Sequence, residues 1–262
     1  MTMNPDGALL RTETDALVLS YFRVPWDSEI FGFPVGQIAQ ICVFRPDRAV
    51  QDLATFSNWL DDQAIQLASC RLPHDRLRES MVLEEMGFRF VEMVLHPHLA
   101  NLQSRSWEDQ GLKVRAAEAA DLPELEEIAA HAFGYERFHV DPRLDPKLAD
   151  LRYRVWVRNS LGYERQQLYK ICEDQKVVAF FVTESKPGGS CYWHLTAVSP
   201  VFQGRGYGKK VWRTMLRHHQ SEGATEVGTT IAARNSPVLS LYSSLDFRFR
   251  PPEMTLHWVR RV

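Results

Sequence analysis

Leu195–Lys209 reads LTAVSPVFQGRGYGK, and the fold turns on this stretch. A strand ends at Val198, a loop follows, and Gln203-x-x-Gly206-x-Gly208 leads into a helix. The first backbone N–H groups of a helix lack internal partners, and the helix dipole adds partial positive charge there. Glycines let the backbone approach a ligand closely. Together these features make a pocket for a pyrophosphate, with Gln203, Arg205 and Lys209 adding polar and positive groups. Taken alone, the pattern is also that of an ordinary tight turn before a helix. Two other nucleotide motifs are excluded. There is no G-x-x-x-x-G-K-[ST] loop, and Gly204-x-Gly206-x-Gly208 has the wrong spacing for a dinucleotide-binding G-x-G-x-x-G.

Working outward, Ser190–Val198 reads as the strand before this loop, with Tyr192, His194, Thr196 and Val198 on one face by alternation. Val211, Trp212, Met215 and Leu216 make an apolar helical stripe after it, and Gly223 ends that helix. Ala224–Ile231 is a strand. Ser236-Pro237 opens a helix with Val238, Leu241, Tyr242 and Leu245 on one face, and a last strand lies near Met254–Val259. Upstream, Leu112–Ala116 reads as a strand. Asp121 and Glu124 fit a capping box for a helix carrying Leu122, Leu125, Ile128 and Ala129. An aromatic and charged loop (Phe133–Arg143), a helix from Pro146 to Ser160 and a hairpin over Leu168–Thr183 complete the half. The order β-α-α-β-β-β-α-β-α-β predicts an α/β fold with a mixed sheet and helices on both faces.

Asn101–Gly111 (NLQSRSWEDQG) is polar and ends in Gly, and reads as a linker between residues 1–100 and 112–262. The smaller N-terminal domain repeats the later pattern weakly. Strand Ile65–Cys70, helix Arg76–Met86, Gly87-Phe88 and strand Phe90–Leu95 parallel strand Ala224–Ile231, helix Pro237–Leu245, Asp246-Phe247 and the last strand. It has no glycine-rich segment, so as a degenerate copy it is expected to have lost cofactor binding.

Hydrophobic residues make up 45% of the 262, charged residues 24%, and the net charge is −2, which gives no electrostatic footprint for nucleic acid. The apolar run Ala8–Leu10 and Ala16–Leu19 is interrupted by Thr12–Asp15, so neither a leader peptide nor a membrane span is expected. Cys42, Cys70, Cys172 and Cys191 show no metal-ligand spacing and are expected to be reduced, with no metal bound, in a cytoplasmic protein.

Adding Asn235 after the next strand, Leu241-Tyr242 on the next helix and Leu245-Asp246-Phe247 at its end gives strand–QxxGxG–helix–strand–N–helix–LYxxLxF. This order resembles the GNAT superfamily of N-acetyltransferases over about the last 150 residues. One departure is Asp246, where the family usually has Gly; Asp tolerates left-handed backbone angles, so the turn is expected to survive. More narrowly, Trp26-Asp27-Ser28-Glu29-Ile30-Phe31-Gly32-Phe33, Arg137-Phe138-His139-x-Asp141-Pro142 and Thr255-Leu256-His257-Trp258 resemble the dTDP-fucosamine acetyltransferase group. On that likeness the N-terminal half is the group's small extra domain.

The resemblance implies acetyl-CoA as cosubstrate and a small-molecule amine as acceptor, favouring an amino sugar on a dTDP carrier. Cofactor contacts are then expected from Leu195, Ala197, Val198, Gln203, Gly204, Arg205, Gly206, Tyr207, Gly208, Lys209, Asn235 and Tyr242. Backbone N–H groups near Ala197–Val198 would hold the oxyanion. A phenol of pKa about 10 suits Tyr242 to protonate the leaving thiolate. His194 falls where some relatives place a general base, with His131 and His139 as further candidates. Asn235 is expected on the pantetheine arm, unless it is only a turn or cap residue. Phe133, Tyr135, Arg137, His139 and Asp141 form the expected acceptor wall, through stacking and phosphate pairing. The cluster Lys209–His219 reads as a solvated helix face whose nearest members could touch the 3′-phosphate. No Cys has an evident His partner, so transfer is expected in one step. Remaining alternatives are another amine, a peptide acceptor, or a non-catalytic acyl-CoA-binding module; a homodimer is compatible with the sequence.

Overall fold

The run Val177–Val182 is apolar without alternation, which suits a strand covered on both faces. In a computed structural model describing residues 8–260, these residues are buried, with Val178, Ala179 and Phe181 in one core and Val177, Phe180 and Val182 in another. In chain order the elements are β1 (Leu10–Glu13), β2 (Leu17–Arg23), α1 (Pro25–Phe31), β3 (Val35–Val43), α2 (Pro46–Asp52), α3 (Ala54–Asp62), β4 (Leu67–Pro73), α4 (Leu77–Glu85) and β5 (Arg89–Leu99). They continue as β6 (Lys113–Ala116), α5 (Leu122–Ala132), α6 (Arg137–Val140), α7 (Pro146–Ser160), β7 (Gln167–Glu173), β8 (Lys176–Lys186) and β9 (Ser190–Val198). Last come α8 (Tyr207–Ser221), β10 (Glu226–Thr229), β11 (Ile231–Ala232), α9 (Ser236–Ser243) and β12 (Arg248–Val259). The fold is mixed α/β with parallel and antiparallel pairing. No helix among the described residues is long and apolar enough to cross a membrane.

The described residues form two compact units. The first holds 8–94, Val140–Leu148 and 251–260; the second holds Leu95–His139 and Ala149–Arg250. In the first, strands run in the order β1-β2-β3-β4-β12-β5, β3 lies parallel to β4, and Leu53, Phe56, Leu60, Val82, Leu83 and Phe88 fill the core. In the second the order is β5-β10-β9-β8-β7-β6. Its helices α8 and α9 bring Val211, Trp212, Met215 and Tyr242 into one core, joined by Leu245 just after α9. Helices α5 and α7 bring Leu125, Ile128, Tyr153 and Val157 into the other.

Several local expectations are corrected. The capping box is Glu118 with Asp121 rather than Asp121 with Glu124, because Lys170 draws the Asp121 carboxylate toward β7 at 2.6 Å. Ala224–Ile231 is not one strand but β10 followed by β11. The polar segment Asn101–Gly111 is strapped down: Leu102 is fully buried, and the Gln220 amide donates to the Leu102 and Arg105 carbonyls. β12 pairs with β4 from Glu253 to Val259, so the end of the chain lies with the first unit rather than with the residues it follows. Asp246 does adopt a left-handed angle, φ +63°.

Candidate active site

β9 runs antiparallel to β8 up to the pair Ala179–Val198, but its parallel pairing with β10 stops at Trp193–Thr229. The Thr229 hydroxyl closes this last rung by donating to the Trp193 carbonyl at 2.8 Å. Beyond it the two strands part. His194–Val198 keeps a strand on one edge only, leaving backbone groups on the other edge for a ligand. The parting coincides with a bulge: Thr183 pairs with Trp193 and Val182 with Leu195, so His194 is the extra residue. The bulge breaks the expected alternation. Cys191 and Trp193 enter the core with α8 and α9, whereas Leu195 and Ala197 enter the core with α5 and α7.

The loop after β9 ends at the uncapped start of α8. Gly206 occupies the N-cap at φ +78°, and no side chain among the described residues caps the helix. Gly204 is also left-handed, φ +71°, and an added Cβ at either glycine meets nothing within 4 Å. Two open, left-handed glycines before free helical N–H groups fit a diphosphate cradle. Gly208 serves packing, since a Cβ there would stand 3.4 Å from Leu241 Cδ2. Gln203 Nε2 donates to the Val198 carbonyl at 2.9 Å, tying the loop to the strand end. The Tyr207 hydroxyl is engaged elsewhere, donating to Glu173 at 2.6 Å. Arg205 and Lys209 are exposed.

Tyr242 is fully buried. Its ring packs edge-on against Phe247 at 4.8 Å and Trp212 at 6.1 Å. Burial pushes its phenol up to about 12, against the pull of Trp212, Thr196 and Thr229 beside it. Since Thr229 is the last paired residue of β10 and Thr196 lies just past the last paired residue of β9, the hydroxyl sits where the strands part. It completes no hydrogen bond among the described residues, and neither does Trp212 Nε1. Each orphaned buried donor costs about 1–3 kcal/mol, a cost an arriving acceptor atom would relieve. Asn235 caps α9, its Oδ1 accepting from the Val238 N–H at 3.3 Å.

His194 makes a pair that the sequence did not suggest. Its Nε2 lies 2.9 Å from Glu184 Oε2, and Arg165 donates to the other carboxylate oxygen at 2.8 Å. Desolvation dominates over the Glu184 attraction and lowers the imidazole to about 4, so the ring is neutral at pH 7. With the Nε2 proton turned to Glu184, Nδ1 holds the lone pair, and it is buried with no hydrogen-bond partner among the described residues. Only the bulge brings Glu184 of β8 under His194; no sequence spacing announces it.

A second buried histidine, His219, pairs with Cys191 and corrects the reading that no Cys has a His partner. Cys191 Sγ lies 3.5 Å from His219 Nε2, and His219 Nδ1 lies 3.3 Å from Glu222. Burial pushes the thiol up to about 12 and the imidazole down to about 4. Both stay neutral, so no thiolate is formed. Among the described residues no three His, Cys, Asp or Glu gather as a metal site.

Two residues of the expected acceptor wall, Phe133 and His139, share the Tyr153 ring, with centroids at 4.4 and 5.8 Å. His139 pairs with Asp150 at 2.9 Å, Arg137 lies over the Phe138 ring at 4.3 Å, and Tyr135 is exposed. Asp141 lies in the first unit, buried, with Arg143 bidentate at 2.8 and 2.7 Å and His257 at 3.0 Å. Burial would raise its carboxyl, but the His257 and Arg143 hydrogen bonds outweigh this and hold it well below the usual range. Its oxygens are committed to the fold, which removes it from the wall. His131 is exposed on α5, bonded to the Glu127 carbonyl.

Residues 122–247 match the sequence model of the Acetyltransferase (GNAT) family. No curated protein matches the chain. Among solved structures, a GCN5-related N-acetyltransferase from Sphaerobacter thermophilus is similar at TM-score 0.63 and 12% identity, covering 94% of this chain and 81% of that one. A tandem GNAT protein from the clavulanic acid biosynthesis pathway gives TM-score 0.60 and 12% identity over 97% and 84%. A GCN5-related glucosamine N-acetyltransferase region of a fungal multi-domain β-N-acetylglucosaminidase gives 0.65 and 13% over 93% and 31%. At such identities the likeness concerns the fold: two GNAT-like domains spanning the chain, the N-terminal one lacking the glycine-rich loop.

Proposed function

We propose that the second unit binds acetyl-CoA where β9 and β10 part and transfers the acetyl group directly to a primary amine. One observation carries this reading: the open edge of β9, the left-handed glycines before α8 and the orphaned Tyr242 hydroxyl meet around one fork. The cosubstrate supplies an acyl group activated as a thioester. The α8 N-terminus with Gln203, Gly204, Arg205, Gly206, Gly208 and Lys209 holds the diphosphate, and backbone groups of Leu195, Ala197 and Val198 hold the amide arm. Asn235 adds its amide nitrogen. His194 Nδ1 takes the proton from the amine, with Glu184 fixing the tautomer. Tyr242 donates its proton to the departing sulfur.

For the acceptor, the reading favours an amino sugar on a nucleotide carrier. The Arg137-Phe138-His139 and Trp26–Phe33 motifs support it, as does the amino-sugar acceptor in the description of one structural neighbour. The test is thiol release from acetyl-CoA across dTDP-linked amino sugars, free amino sugars, polyamines and peptides, alongside calorimetry with coenzyme A. Release with a sugar amine supports the full reading. Binding without release for any amine leaves an acyl-CoA-binding module. No coenzyme A uptake by folded protein removes the site. Tyr242→Phe should keep coenzyme A affinity and lose most turnover; unchanged turnover rules out its acid role.

A further inference from the structure

A charged cluster with no role above lies in the first unit, on the sheet face turned away from its core. On β4 and β12, Arg71 pairs with Thr255 and Ser69 with His257. By alternation these four side chains point away from Cys70, Leu72, Met254 and Leu256, which enter the core. Arg71 Nε donates to the Thr255 hydroxyl at 3.3 Å, and its Nη2 to Glu92 Oε1 at 3.4 Å. Two residues along β12, Arg143 meets Asp141 with Nε and Nη2, and the same Nη2 donates to the His257 carbonyl at 3.2 Å. All of these residues belong to the first unit. The acids lie beneath and the guanidiniums above: side-chain exposure is 2% for Glu92 and 1% for Asp141, against 28% for Arg71 and 31% for Arg143. Neither arginine uses Nη1 in a hydrogen bond among the described residues. As a device for stability the cluster is poor. A buried ion pair roughly breaks even against apolar packing, and Glu92 Oε2 is buried with no hydrogen-bond partner among the described residues, which adds a cost. What the cluster does achieve is to fix two planar guanidiniums with their unused ends outward. Their anchor points on β12 are about 7 Å apart, the repeat of two strand residues.

We propose that Arg71 and Arg143 form an anion site on the first unit, which takes a small molecule with two terminal oxyanion groups, one for each guanidinium. A guanidinium matches one carboxylate or one phosphate group. Two of them at this spacing select a ligand with two such groups, a dicarboxylate or a diphosphate. The buried Glu92 and Asp141 balance the charge, so recognition rests on directed N–H donation rather than on long-range attraction. Coenzyme A carries one terminal phosphate, its diphosphate being esterified at both ends, so it does not satisfy both guanidiniums. The site stands independently of the acetyl-CoA reading.

The test is calorimetry on the full chain, with succinate and pyrophosphate as two-group probes and acetate and inorganic phosphate as their one-group counterparts. A two-group probe should bind about tenfold or more tightly than its counterpart, the size of one added charge-assisted hydrogen bond. Which of the two binds tells a dicarboxylate site from a diphosphate site. Arg71→Lys and Arg143→Lys keep the charge but lose the planar fork. Each should weaken that binding about tenfold, with the melting temperature near the parent value. Gly206→Ala should leave it unchanged. Equal affinity for one-group and two-group probes overturns the proposal, as does full binding in both lysine chains. Binding that falls with Gly206→Ala and not with the lysine substitutions places the probe at the α8 loop and overturns it too. Should a lysine chain fail to fold, a crystal of the parent soaked in the same probe decides: density bridging Arg71 and Arg143 supports the site, and density elsewhere or none refutes it. Coenzyme A uptake is measured in parallel, so that its loss with this binding intact removes only the acetyl-CoA site.

Discussion

Lowering the pH from 7.5 to 4.5 should destabilise the protein through two buried histidines. Burial lowers His194 and His219 to about 4 each, against 6.5 in the unfolded chain. Between these limits the unfolded state binds protons that the folded state refuses, so stability falls as pH falls. The contribution is fully present above 6.5 and is lost on the way down to 4. A displacement of roughly 2.5 units at 1.36 kcal/mol each gives about 3 kcal/mol per histidine, most of it gone by pH 4.5. Together that is about 5 kcal/mol, comparable with the whole stability of many domains. Asp141, held low by Arg143 and His257, begins to lose its contribution only below its ordinary value of 3.8, outside this window. Urea unfolding followed by tryptophan fluorescence at half-unit pH steps reads the slope. His219→Gln should flatten it by about half by removing one of the two protons. A flat profile from 6.5 to 4.5, or a slope untouched by that substitution, refutes the argument.

Glu184→Gln keeps a hydrogen-bonding partner for His194 but removes the carboxylate that favours proton uptake on the ring. Its kcat should fall about ten- to a hundredfold with little change in KM for acetyl-CoA in a thiol-release assay, a part of the roughly 10²–10⁴-fold that a general base contributes. Gly206→Ala forces a side chain onto φ +78°; the unfolding free energy from urea titration should drop by about 1–2 kcal/mol, and calorimetry should show weakened coenzyme A binding. Cys191→Ala should leave turnover near the parent value in the same thiol-release assay, because burial holds the thiol protonated. A large loss there would reopen a covalent route through sulfur.

Much of the second unit was legible in the sequence because local rules and packing agree there. The helix over Pro146–Ser160, the hairpin of β7 and β8 and the left-handed Asp246 follow from periodicity and turn chemistry. What was hidden depends on contacts far apart in sequence. The bulge at His194 leaves no mark in its own residues, yet it reassigns the faces of β9 and sets Glu184 against the imidazole. Asp141 sits in a loop that looks like a ligand wall but is bound by His257, more than a hundred residues on. β12 leaves the domain it was read into because its pairing with β4 is a choice between edges, which alternation cannot decide.

A comparison of the two units isolates what a binding fork requires. In the first unit β3 also parts from its parallel neighbour, the last pair being Ile38–Cys70, and a register shift again leaves one extra residue, Ala39, just beyond. So the bulge and the fork recur. The rest does not. Only Phe44 and Arg45 lie between β3 and α2, where Ser199–Gly206 form the glycine loop of the second unit. Counting back from Phe88 as from Phe247, Leu83 stands where Tyr242 stands, and Leu83 is buried core. The strand end is also occupied: the Val43 N–H donates to Glu79 at 3.1 Å and Arg78 donates to the Val43 carbonyl at 3.2 Å. A backbone edge already satisfied by its own side chains gains little from a ligand amide. Calorimetric titration of the full chain with coenzyme A should therefore saturate at one molecule per chain. Gly206→Ala should weaken that single event and reveal no second one. A stoichiometry of two would mean that the Glu79 and Arg78 contacts yield to ligand, and the distinction drawn between the forks would fail.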